Sequence, residues 1–123
     1  VRIAILDSGS QVKVDKAISF TSLAANSDPI SHGTKITQVI KQQNPQAEIF
    51  MLQICERKEF SYQPDINAVI KAIEWAKAQR VDVINLSLNL DYSPELASII
   101  DDAHNKDGII FVVAAGNNNF QED

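Results

Sequence analysis

What the sequence is short of narrows it first. One cysteine, Cys55, stands among 123 residues, so no disulfide can close within the chain and neither a redox cysteine pair nor a cysteine-based zinc spacing can be built. A reducing, cytoplasmic compartment is the expectation that follows. Nowhere do about eighteen apolar residues run together, and the start carries no basic region leading into a long apolar stretch, which argues against a spanning helix and an export signal. No membrane role is expected. Basic residues are outnumbered, 11 Lys and Arg against 16 Asp and Glu, and no basic run stands out. The net charge of −5 repels a phosphate backbone, so nucleic acid is not an expected partner. Glycine is sparse as well, with four residues. A dinucleotide fingerprint needs several glycines directly after the first strand, where only Gly9 stands, and no glycine-rich loop closed by Lys-Ser or Lys-Thr exists to make a P-loop. No acidic loop has calcium-ligand spacing. Neither a metal nor a cofactor is expected.

What is there fits one globular domain over residues 1–123: 45% hydrophobic and 22% charged residues, enough apolar material for a core. Residues 1–6 are apolar on both alternating faces, which suits a strand covered by helices on both sides of a parallel sheet. Residues 11–30 read as loop with one short edge strand near Ala17 to Phe20. From His32 a helical period begins, with Ile36, Val39 and Ile40 on its apolar face, and it dissolves at Gln42-Gln43-Asn44-Pro45. Residues 47–55 form the next apolar strand, followed by a polar loop containing Ser61. A second helix opens with Pro64 at its first position and lines up Ile66, Val69, Ile70 and Ile73. Residues 81–88 are a strand. Ser93-Pro94-Glu95 reads as cap, proline and acid at a helix start, with Leu96, Ile99, Ile100 and Ala103 on one face and Gly108 as terminator. Residues 109–115 complete the pattern as a buried strand. Alternating strands and helices of this kind predict an α/β fold built on a parallel sheet.

Chemistry in such a sheet collects where loops converge at the carboxyl ends of the strands. Asp7 stands at that edge. It either contributes to a site there or caps its own turn, as Asp-Ser-Gly sequences do. His32-Gly33-Thr34 opens the first helix, and Gly116-Asn117 follows the last strand. A carboxylate such as Asp7 can hold one imidazole nitrogen of His32 and so orient the other as a general base. Asn117 can donate its side-chain amide to an oxyanion developing on a carbonyl. Taken singly, His32 reads equally as a helix cap and Asn117 as a turn residue. His104, beside Asp101 and Asp102, reads as a solvated surface residue, Trp75 as helix packing and Cys55 as a small core residue.

Taken together the motifs resemble those of the subtilisin-like serine protease family, the subtilases. Ile5-Leu6-Asp7-Ser8-Gly9 is similar to the family's aspartate motif, Ser31-His32-Gly33-Thr34 to its histidine motif and Val112-Val113-Ala114-Ala115-Gly116-Asn117 to its oxyanion-asparagine motif. Ala72-Ile73-Glu74-Trp75-Ala76 and Val83-Ile84-Asn85-Leu86-Ser87-Leu88 resemble the helix and substrate-edge strand between them, and the order Asp, His, Asn is the family's own. The resemblance implies that Asp7 orients His32, that His32 is the general base and that Asn117 is an oxyanion donor. It further implies that the strand through Ser87 and Leu88, with Asn89 after it, pairs with a peptide by main-chain hydrogen bonds. Ala114, Ala115 and Gly116 would then line the pocket for the residue before the scissile bond.

Departures from the pattern shape the functional expectation. The family presents its nucleophile in a Gly-Thr-Ser motif well beyond the asparagine. No serine of these residues sits in such a context, so the chain by itself is expected to be inactive. Lys35, Thr37 and Gln38 stand where the family carries smaller or apolar residues, which bears on how His32 is presented, and Asn89 replaces a glycine that lets substrate backbone approach. A sheet ending at the last of these strands would leave an apolar flank for a complementary chain or a second copy. Three functional readings follow: first a non-catalytic module binding a peptide or protein, as the alternative part of a split or processed endopeptidase whose serine comes from another chain, and last an unrelated α/β binding or regulatory domain whose motifs coincide.

Overall fold

The computed structural model describes residues 1–114. Its elements run β1 (Arg2–Asp7), β2 (Lys16–Ser19), α1 (His32–Gln43), β3 (Glu48–Gln53), β4 (Cys55–Lys58), β5 (Ser61–Pro64), α2 (Ile66–Ala78), β6 (Val83–Leu86), α3 (Pro94–Asp107) and β7 (Ile110–Val113). Five of the strands form one sheet in the order β2-β3-β1-β6-β7, and every pairing in it is parallel. The α/β fold with a parallel sheet is therefore as the alternation of patterns predicted. β1 lies at the centre and β2 at an edge, the place expected for the short strand of the second decade.

The double-sided apolarity of β1 is what places it centrally, because each of its faces meets a different helical layer. Ala4 and Leu6 point into a large cluster with Phe50, Leu52, Ile84 and Leu86, closed by Val69, Ile73, Leu96 and Ile100 of α2 and α3. Ile3 and Ile5 point the other way, to Ile49 and Met51, covered by Ile36 and Ile40 of α1. Alternation along a strand then carries Asp7 to the same face as Ile3 and Ile5. That is the face α1 covers, and it is why the carboxylate meets the residue at the head of α1.

Helix ends follow local chemistry in two of three cases. Ser93 accepts from Leu96 N, proline follows it, and Gly108 closes α3 in the left-handed region at φ 69°, as expected of that sequence. α2 starts differently from the expectation. Pro64 is the last residue of β5, and Asp65 is the N-cap, its carboxylate accepting from Ala68 N at 3.0 Å. The predicted polar loop around Ser61 is in fact the second strand of an antiparallel hairpin, with Cys55 opposite Pro64 and Lys58 opposite Ser61. Its turn is carried by Glu59 at φ 56°, a non-glycine residue that gives no turn signal. Arg57 lies over the Tyr62 ring, 5.6 Å from its centroid.

Strand lengths are shorter than the apolar runs. The run over 47–55 divides into β3 and the start of β4, that over 81–88 narrows to Val83–Leu86, and that over 109–115 narrows to Ile110–Val113 within the described residues. Val39 was expected on the core face of α1 but is 50% exposed, because Gly33, Ile36, Thr37 and Ile40 form the inward stripe. No helix of the described residues is long and apolar enough to cross a membrane.

Candidate active site

Asp7 ends β1 fully buried, and His32 is the first residue of α1. Between them, Nδ1 of His32 lies 2.9 Å from Oδ1 and 3.1 Å from Oδ2 of Asp7. The imidazole is 40% exposed while the carboxylate is closed off from solvent. An N–H at Nδ1 donated to Asp7 leaves Nε2, on the opposite side of the ring, as the acceptor nitrogen. The two alternatives for Asp7 also turn out not to exclude each other, since its Oδ1 accepts from Ser8 N at 2.8 Å as well as facing the histidine.

The first turn of α1 is held by side chains from outside the helix. Its N-cap, Ser31, sits in the left-handed region at φ 62° and makes no side-chain cap. Ser8 Oγ instead accepts from Gly33 N at 3.1 Å, and Asp28 Oδ2 accepts from Thr34 N at 2.7 Å. The amides beside His32 are thus satisfied. Ser8 Oγ in turn lies 2.7 Å from Asp28 Oδ1 and 3.2 Å from Asp7 Oδ1. Gly33 is needed where the two segments touch, because a Cβ there would lie 2.1 Å from the Gly9 carbonyl oxygen.

The loop that carries Asp28 is pinned to the sheet. Ser10 N donates to Ala25 O at 3.0 Å, and Gln53 Nε2 donates to Ala24 O at 3.1 Å. Gln53 is fully buried and stands opposite Asp7 in the register of β1 and β3. Its Oε1 accepts from Cys55 N at 2.8 Å. Of the residues that depart from the family pattern, Thr37 is buried with its hydroxyl donating to Gly33 O at 2.7 Å, while Lys35 and Gln38 point to solvent. The polar side chain at 37 is therefore absorbed by the helix's own backbone.

Burial dominates the electrostatics of the pair. It pushes the Asp7 carboxyl above its ordinary range, and the hydrogen bonds from His32 and from Ser8 pull it back only in part. Burial, reinforced by the Asp7 and Asp28 charges, pushes the Cys55 thiol up to about 12. A thiol held neutral is no nucleophile, in keeping with the reading of Cys55 as a core residue. Trp75 meets Phe50 edge-on at 5.6 Å, and His104, exposed on α3, faces Ile109 O through Nδ1 at 2.9 Å. Among the described residues no group of three or more His, Cys, Asp or Glu is placed to hold a metal ion.

The other predicted site residues fall in two sets. Ser87, Leu88 and Asn89 follow β6 at the same carboxyl edge, but beyond Leu86, its last paired residue; the expectation that Ser87 and Leu88 lie within the strand is corrected accordingly. Ser87 Oγ donates to Asn85 Oδ1 at 2.6 Å, Leu88 is buried and Asn89 exposed. Ala114 follows β7 and is partly buried. Ala115, Gly116 and Asn117 lie outside the described residues. Sequence reasoning missed Ser8 and Asp28 as parts of the site. The only signal was indirect: a serine next to Asp7, and an acid four residues before His32 inside a run of turn formers.

A family model described as the subtilase family matches residues 1–123. The minor extracellular protease Epr of Bacillus subtilis is 27% identical over 136 residues, covering 95% of this chain and 20% of that protein. Subtilisin E of Bacillus subtilis is 29% identical over 137 residues, covering 95% of this chain and 34% of that protein. The chain thus spans about a third or less of these two relatives. Among solved structures, a mutant of the protease domain of PatA superposes with a TM-score of 0.73 at 21% identity, over 96% of this chain and 50% of that one. A lanthipeptide protease does so with a TM-score of 0.69 at 22% identity, over 94% of this chain and 39% of that one. Fold and family model agree, and the chain belongs to the subtilase family, matching part of a subtilisin-like peptidase domain.

Proposed function

We propose that these residues supply the acid–base half of a peptide-bond hydrolase. In this reading Asp7 fixes the tautomer and direction of His32, and Nε2 of His32 takes the proton of a serine hydroxyl lying outside the 123 residues. It then returns that proton to the leaving amine. Asn117 donates to the oxyanion of the tetrahedral intermediate. Ser87, Leu88 and Asn89, with Ala114, Ala115 and Gly116, border the extended peptide. Asn89 also lines a groove of about 270 Å³ together with Gln63, Pro64, Ile66, Leu90 and Asp91.

The supporting observation is the 2.9 Å contact between His32 Nδ1 and a fully buried Asp7. Keeping a carboxylate in that position works against the fold, since burial disfavours its charge. A module that only binds peptide gains nothing from this cost. The competing reading, a peptide- or protein-binding module without hydrolysis, draws on the lack of a Gly-Thr-Ser sequence in these residues. Ile110 and Val112 of β7, 56% and 45% exposed, support a complementary segment or second copy against that flank under either reading.

A fluorophosphonate probe applied to the whole protein discriminates the two. The hydrolase reading expects stoichiometric labelling of one serine that is lost in His32→Ala. Absence of labelling, together with peptide binding unchanged in His32→Ala, establishes the binding module instead.

A further inference from the structure

Asp28 makes no hydrogen bond to His32, yet the two backbone amides that follow His32 at the head of α1 are held by it and by its partner Ser8. Its carboxylate is 6% exposed and divides its oxygens between two tasks. Oδ2 accepts from Thr34 N at 2.7 Å, and Oδ1 faces Ser8 Oγ at 2.7 Å. A hydroxyl has one proton to give. Ser8 Oγ is 2.7 Å from Asp28 Oδ1 but 3.2 Å from Asp7 Oδ1, so the shorter contact takes the proton, and the oxygen's lone pairs are left to accept from Gly33 N. Asp7 Oδ1 then serves two donors, Ser8 N and His32 Nδ1.

We propose that Asp28 is a positioning residue for His32: it anchors the first turn of α1 and, by holding the Ser8 hydroxyl proton, keeps that proton off the Asp7 oxygen that His32 uses. The inference rests on the reading of His32 as the base, and it adds a residue that acts through two others. If the charge of Asp28 is removed, one oxygen still caps Thr34 N while an amide nitrogen faces Ser8 Oγ. The hydroxyl, now an acceptor on that side, turns its proton to Asp7. Asp7 Oδ1 acquires a third donor in competition with His32, and the His32 contact weakens without any change in the residues that form it.

The test is made in the whole protein with Asp28→Asn, which preserves size, and is read from the proton resonance of His32 Nδ1–H. In the wild type that resonance is downfield and disappears in Asp7→Asn. The expected result for folded Asp28→Asn is an upfield shift of the resonance and a roughly tenfold lower kcat at unchanged KM. Adding Ser8→Ala to Asp28→Asn removes the hydroxyl that turns, and the resonance moves back toward its wild-type position. A merely structural role for Asp28 predicts no such recovery. An unshifted resonance in folded Asp28→Asn overturns the proposal, as does a double variant that matches the single one. Should the resonance respond as expected in a protein that hydrolyses no peptide, the positioning role stands and the hydrolase reading falls.

Discussion

The carbonyl oxygen of Gly9 occupies the space that a side chain on Gly33 would need. A Cβ at Gly33 would come within 2.1 Å of that oxygen and 3.2 Å of Asp7 Oδ1. The loop after β1 and the start of α1 therefore approach as closely as backbone permits, and the Asp7–His32 contact depends on that approach. Gly33→Ala is expected to destabilise the fold by about 1–3 kcal/mol, the usual cost of forcing extra atoms into a packed site. Urea unfolding measures it. The variant that remains folded should also lose the downfield His32 resonance, because α1 must move outward.

Asp7→Asn should separate stability from chemistry. The folded carboxyl titrates above its ordinary value of 3.8, so between that value and the folded one the native state binds more protons than the unfolded chain. Stability contributed by Asp7 is present below pH 3.8 and is lost as pH rises through the folded value. At pH 7 the asparagine variant is accordingly expected to resist urea at least as well as the wild type, with the difference closing below pH 3.8. Peptide hydrolysis by the whole protein should meanwhile fall by about 10⁴-fold, since the amide stabilises the wrong imidazole tautomer. A variant both unstable at pH 7 and fully active contradicts this account of Asp7.

Cys55 should be silent in the native protein. Its thiol is fully buried and pushed up to about 12, which leaves almost no thiolate at pH 8. Iodoacetamide is expected to leave it unmodified under native conditions and to modify it fully in denaturant, with mass spectrometry as the readout.

Two apolar residues on different helices should differ several-fold in the cost of truncation. Ile73 is fully buried against the sheet, and Ile73→Ala is expected to cost about 2–5 kcal/mol. Val39, half exposed, should cost no more than about 0.5 kcal/mol as Val39→Ala. Paired urea denaturation curves give both values.

The contrast between those residues separates what local pattern specifies from what tertiary contact decides. Central strands announce themselves by being apolar on both faces, so residues 2–7, and with them the edge that carries Asp7, were legible. Ser93 and Gly108 were legible for a different reason: capping is chemistry between near neighbours. Val39 obeys the same spacing as Ile36 and Ile40, but the buried stripe of α1 is centred elsewhere, on Gly33 and Thr37, because contact with Gly9 sets the rotation of the helix. The β4–β5 hairpin was read as loop since Glu56, Arg57, Lys58 and Gln63 are polar and its turn holds neither glycine nor asparagine. Its strands are held by their ladder rather than by a buried face. Asp28 looked like a turn former because its partners, Ser8 and Thr34, are twenty and six residues away in sequence, and no local pattern records them.

The central place of β1 has a consequence for how the chain is made. Its partners are Glu48–Gln53 on one side and Val83–Asn85 on the other, so β1 leaves the ribosome before either of them and waits longest to have both edges covered. At roughly 5–20 residues per second, synthesis leaves that apolar strand waiting for several seconds before β6 exists to pair with it. During this interval Asp7 has neither its burial nor its elevated pKa, and the segment most in need of protection from wrong pairing is the one that carries it.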